Sequence, residues 1–151
     1  MLQGRRGARS GTEPLQALIA EPGIAAPDRT GTWYDPAEPG WGLTVYGASD
    51  SRVAILYFYD GEHQPRWVLG QGSNAANERV PVRSYRGFCP DCAYVAPQAV
   101  DGGTLDWRFA GARNATVSTD AYDASQPAAR WRRGPVVVVP LSDPALRPAT
   151  H

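Results

Sequence analysis

The chain has no lysine. All fifteen of its basic residues are arginine, and fifteen acidic residues bring the net charge to zero. The simplest cause is a GC-rich coding sequence, but the balance itself excludes a function class. Without a global field there is no electrostatic pull toward nucleic acid or an anionic membrane. Long apolar runs are missing too. A run such as Val136 to Val139, with its flanking prolines and Leu141, falls far short of the ~20 residues that a spanning helix needs. No membrane insertion is expected. Arg5, Arg6 and Arg9 open the chain, but Leu15 to Ala20 is too short and polar to follow them as the apolar core of a signal peptide. None is read here; a mature fragment, or the C-terminal piece of a longer secreted chain, has the same look. There are only two histidines, His63 and His151, and two cysteines. No metal cluster, phosphate loop or nucleophile–base pair stands out, so no catalytic residue, metal or cofactor is assigned.

What is present is a series of aromatic segments with period-two alternation, separated by glycine turns. Alternation at that period marks half-buried strands. The strands read as 30–34, 41–47, 52–59, 65–70, 79–86, 104–109, 114–122, 129–133 and 135–139, the last two split by Gly134. Trp41, Leu43 and Val45 share one face. Residues 52–59 are apolar on both faces, which marks a central or covered strand. Trp67 and Leu69 are expected inward, as are Leu105, Trp107 and Phe109; Val117, Thr119 and Ala121 lie opposite Thr116, Ser118 and Asp120 in a weaker alternation. Residues 87–103 read as the longest irregular stretch. The fold class is all-β: an antiparallel meander of seven to nine short strands closed into a barrel or sandwich, since closure removes exposed edges.

At 151 residues the chain is one domain's worth and buries about 70% of its unfolded surface. Residues 1–29 read as an N-terminal arm or linker, with Thr12-Glu13-Pro14 as a helix start running at most to Ala20. The β-domain occupies 30–141, and 142–151 reads as a loose, proline-broken tail.

Three groups of residues are candidates for chemistry. Cys89-Pro90-Asp91-Cys92 is the one C-x-x-C. A redox site would want a helix after the first cysteine, and none is signalled; zinc would want two more ligands. The favoured reading is a small structural disulfide between Cys89 and Cys92, with free thiols, redox and metal as alternatives. A disulfide fits an exported protein, extracellular or periplasmic. The five tryptophans read first as core. Several of them, with the tyrosines of 57–59, also make an aromatic cluster suited to stacking a sugar or other flat ligand: Trp33, Trp41, Tyr57, Tyr59 and Trp67. Trp41 leads that set because Gly40 and Gly42 leave its ring open. Arg66 beside Trp67 and Arg108 beside Trp107 are candidates for guanidinium–ring stacking. Trp131 among Arg130, Arg132 and Arg133 makes a cationic edge, but the neutral chain argues against nucleic acid. The carboxylates Asp35, Glu38, Asp60, Glu62, Asp101 and Asp123 lie mostly at turns, where they cap backbone N–H groups more often than they pair as acid and base. Asp60-Gly61 is read as turn chemistry, and His63 in the same loop as solvated.

Gly31-Thr32-Trp33-Tyr34-Asp35-Pro36, Gly40-Trp41-Gly42, Tyr57-Phe58-Tyr59-Asp60 and Pro65-Arg66-Trp67 together resemble a recurring β-domain of secreted bacterial proteins. Its pattern runs G-x-W-x-x-P, G-x-G, Y-x-Y-D, P-x-W. The likeness covers 31–70 well and 71–140 loosely. It departs at Pro39 and at the Cys89–Cys92 loop. The resemblance implies an accessory domain of exported proteins, often C-terminal to a hydrolase, and carries over no catalytic residues. Gly31–Tyr34 is also similar to the first strand of avidin and lipocalin barrels, where the tryptophan closes one barrel end. The expected function is a non-catalytic binding module of an exported bacterial protein, with a glycan or small molecule, or else a protein, as partner. The alternatives are a small barrel hydrolase using turn carboxylates and a structural appendage that binds only its parent chain.

Overall fold

Alternation in this chain is strict enough to close a cylinder. A computed structural model describes residues 2–6, 9–13, 29–47, 50–87, 89, 91–123 and 126–141. β1 (Leu2–Arg6) and β2 (Arg9–Glu13) form a separate antiparallel hairpin. The other eight strands are β3 (Gly31–Tyr34), β4 (Gly42–Gly47), β5 (Ser51–Tyr59), β6 (Pro65–Ser73), β7 (Asn77–Arg86), β8 (Gln98–Phe109), β9 (Ala115–Asp123) and β10 (Gln126–Pro140). They pair in chain order, and β10 returns to β3, making a closed antiparallel barrel. The closing seam is short: Val139 pairs with Tyr34 and Pro140 with Trp33, and Leu141 N donates to Thr32 O at 2.7 Å.

The inward positions supply one continuous core. Leu43, Val45, Leu56, Val68, Val80, Val82, Leu105, Trp107, Val117, Ala121 and Val138 are all buried. An eight-stranded barrel is just wide enough for side chains to fill, and here they do. We call the end where β5 finishes and β6 begins the upper end. At the lower end Arg52 is buried. Its guanidinium donates to Asn74 O and Ala75 O in the β6–β7 loop (3.3 and 2.9 Å) and lies over the Phe109 and Trp107 rings (4.8 and 5.6 Å). Trp33 packs edge-on against Phe109 there, centroids 5.3 Å apart, and donates its indole N–H to Arg29 O. At the upper end Trp131 packs against Trp41 and Phe58 (5.0 and 5.4 Å), and Arg133 covers the Trp131 ring while pairing with Glu38 at 2.9 Å. Aromatic rings and arginines plug both ends.

Outward faces on the β7–β10 side carry ion pairs, Arg79–Asp106 and Arg130 and Arg132 with Asp120. These outward positions carry charge where a lipid-facing strand carries apolar side chains. No helix among the described residues is long and apolar enough to cross a membrane.

Five expectations change. Trp67 and Leu69 face outward, not inward. Leu56 pairs with Val68 and Ala54 with Gly70, so β6 turns Val68 and Gly70 to the core. The expected break at Gly134 is a bulge inside one long β10. The register steps from Arg133↔Thr119 to Val136↔Val117, and Pro135 falls where no ladder N–H is required. The bulge flips the parity, so Trp131 and Arg133 turn to the barrel mouth and Val136 and Val138 to the core. The irregular stretch ends at Pro97, because β8 already begins at Gln98 and bulges at Gly102-Gly103, opposite Val82. Gly103 has φ +96°, and a Cβ there would lie 1.9 Å from Asp120 O, so only glycine fits. Thr12 and Glu13 belong to β2 rather than opening a helix, since Gln3 and Leu2 pair with them across the hairpin. The rest of that expected helix, and the 142–151 tail, lie outside the described residues. Finally, Arg108 and Trp107 point to opposite faces, as neighbours in a strand must; the arginine over the Trp107 ring is Arg52 on β5, with β6 and β7 between them in sequence.

Cys89 and Cys92 stand at disulfide distance, with Cα atoms 5.1 Å apart and Cys92 N donating to Cys89 O at 2.9 Å.

Candidate functional site

The upper rim outside β4, β5 and β6 gathers most of the expected aromatic cluster. Parity turns Val53, Ile55, Tyr57 and Tyr59 outward on β5 and Pro65, Trp67 and Leu69 outward on β6. The register sets Tyr57 opposite Trp67 and Tyr59 opposite Pro65. On the other side of Tyr57 the opposed residue is Gly42, so no side chain covers that flank of the ring. Tyr57, Tyr59 and Trp67 are 45%, 55% and 46% exposed, large values for such apolar rings. Between them lies a cleft of about 450 Å³, floored by Gly40, Trp41 and Gly42 and walled by Tyr57, Tyr59 and Trp67.

A rigid turn sets this geometry. The Asp60 carboxylate is buried and accepts the N–H groups of Glu62 and Gln64, each at 2.9 Å, and Arg66 Nε at 2.8 Å. The Gln64 N–H, with help from Arg66 and Glu62, holds the Asp60 carboxyl below the usual carboxylate range against the opposing effect of burial. Asp60 N donates back to Gln64 O at 3.0 Å, and His63 takes a positive φ of 59° to close the loop. Tyr59 and Pro65, the residues on either side, are fixed by it. Arg66 also reaches Asp123 at 3.8 Å, so its charge is met by two carboxylates at the cleft wall.

Trp41 sits differently from its expected exposure. At 9% exposed, its ring belongs to the mouth-plugging stack, and only its edge reaches the cleft floor. Flanking glycines opened the backbone, not the ring. Its buried indole N–H has no acceptor among the described residues. Trp33 is not part of the site; it is 1% exposed at the opposite end of the barrel. One residue was missed. Tyr85 on β7 stacks on Trp67, centroids 5.9 Å apart and planes 13° apart, and is 41% exposed. The inward set Val80 and Val82 carried the signal, because that parity forces Tyr85 outward.

The turn carboxylates are committed to structure. Asp35 accepts Ala37 N at 2.8 Å, and Asp101 accepts Gly103 N and the Tyr122 hydroxyl at 3.1 and 2.6 Å. Glu38 pairs with Arg133. None of them lines the cleft, whose polar lining is Arg66 and the tyrosine and tryptophan edges. Among the described residues no three His, Cys, Asp or Glu side chains are grouped to hold a metal ion. Compared with family models, curated proteins and solved structures, the chain finds no match.

Proposed function

We propose that this barrel is a non-catalytic binding module of an exported bacterial protein, and that it takes a carbohydrate in the cleft between Tyr57, Tyr59 and Trp67. The observation that carries the reading is the joint exposure of three large rings around a cleft whose interior neighbour, the barrel lumen, is already filled. Rings with an apolar face and a polar edge suit a sugar, which has apolar C–H faces and a girdle of hydroxyls. The Cys89–Cys92 pair fits an oxidising, extracytoplasmic setting.

Isothermal titration of the oxidised protein against neutral oligosaccharides of glucose, xylose, mannose and N-acetylglucosamine tests this. The reading predicts saturable binding to one series and a loss of about tenfold or more in Trp67→Ala, equivalent to about 1.4 kcal/mol. Equal affinity in that variant, or no binding across all four series, contradicts it.

A further inference from the structure

The aromatic surface does not stop at the cleft. Tyr57 and Trp67 are opposed across β5 and β6, and the β6–β7 register, Leu69 opposite Arg83, carried back by two residues puts Trp67 opposite Tyr85. The Trp67–Tyr85 ring contact agrees. Three exposed rings therefore stand in one row at right angles to the strands. Neighbouring strands lie about 4.8 Å apart, so the row spans about 10 Å of sheet. That is longer than one sugar ring. At 5.9 Å between centroids and 13° between planes, Trp67 and Tyr85 are slipped past each other rather than eclipsed, since stacked carbons sit only about 3.5–4 Å apart. Each ring keeps part of a face open.

Charge near the row is largely met. Arg66 is paired with Asp60 and Asp123, and Arg83, beside Tyr85 on the same face, stands opposite Asp101 on β8 and acts on it through charge without an ion pair. Arg66, the one arginine in the cleft wall, therefore offers no unmet cation to a uronate or a sulfate. Every ring in the row has a hydroxyl or an N–H, which an aliphatic ligand would leave without a partner.

Resting on the cleft reading above, we infer that the ligand is a neutral glycan chain of at least two linked sugars, laid across β5, β6 and β7, with the first sugar in the cleft and the next over Tyr85. Tyr85 is then a length-determining residue, not a part of the first sugar position.

The test is a length series by isothermal titration, glucose to cellohexaose and N-acetylglucosamine to chitohexaose, with oligogalacturonate as the charged comparison. Wild type should gain about tenfold in affinity from one sugar to three, and bind oligogalacturonate more weakly than the neutral series. Tyr85→Ala should lose that gain, its affinities for one sugar and for three falling within about twofold of each other; Tyr85→Phe, which keeps the ring, should retain most of the gain. Tyr85 points out of the barrel, so circular dichroism of these variants should match wild type. A wild-type affinity independent of length, or a Tyr85→Ala series identical to wild type, overturns the track while leaving the cleft reading intact. Binding to no glycan of either length or charge overturns both.

Discussion

Tyr57 and Trp67 stand directly opposite each other on β5 and β6, both turned away from the core and each nearly half exposed. The proposed binding surface is built around this pair. Removing the half-exposed Trp67 ring therefore costs little stability. Trp67→Ala should lower Tm by at most a few degrees, whereas Trp107→Ala, which empties a fully buried core site, should cost about 3–5 kcal/mol. Differential scanning calorimetry of the two variants checks the contrast.

Arg52 stabilises the lower end chiefly through shape and stacking. Burial lowers its pKa, and the nearby Arg29 charge adds to that effect, while Glu78 opposes it. Arg52→Ala loses two carbonyl hydrogen bonds and the stack on Phe109 and Trp107, and should destabilise by about 2–4 kcal/mol. Arg52→Met, which fills the site without a second cation beside Arg29, should recover a good part of that loss. Urea unfolding of both variants decides it; equal losses would show that charge, not volume, holds this end.

Two glycines make opposite predictions. Gly103→Ala forces a side chain at positive φ into Asp120 O and should cost at least about 3 kcal/mol. Gly134, in the β10 bulge, has open space around it, and Gly134→Ala should change stability by less than about 1 kcal/mol. Thermal unfolding of the pair measures both.

The sequence shows the barrel through its alternation: the inward set Leu105-Trp107-Phe109 holds because nothing interrupts its parity. Parity fails to read where a bulge shifts it, at Gly134-Pro135, and where a strand is aromatic or apolar on both faces, as around Trp67. In β6 hydrophobicity alone cannot choose between Trp67 and Val68; the register with Leu56 chooses. The site was visible as residue types. Its membership was not, because Trp33 and Trp41 carry the same glycine-flanked signature as an exposed ring, while Tyr85 joins only when β7 is laid beside β6.

Asp120 gives a pH signature. Hydrogen bonds from Arg130, with further help from Arg132 and against some desolvation, lower its pKa from 3.8 to about 2. A carboxylate whose folded pKa is depressed adds stability that is present above its unfolded pKa and disappears as pH falls through the folded value. The Tm difference between wild type and Asp120→Asn should therefore be constant above about pH 4 and shrink as the pH falls to about 2. A difference that stays constant down to pH 2 would mean that the two arginines do not hold this carboxylate in solution.

The most direct test of the central claim is a ¹H–¹⁵N NMR titration of the indole N–H groups with the best-binding neutral oligosaccharide. An exterior cleft predicts that the Trp67 resonance shifts with added ligand, and Trp41 with it, while Trp33 and Trp107 in the filled lumen stay where they are. Shifts at Trp33 and Trp107 with Trp67 unmoved would place the ligand inside the barrel and contradict the account.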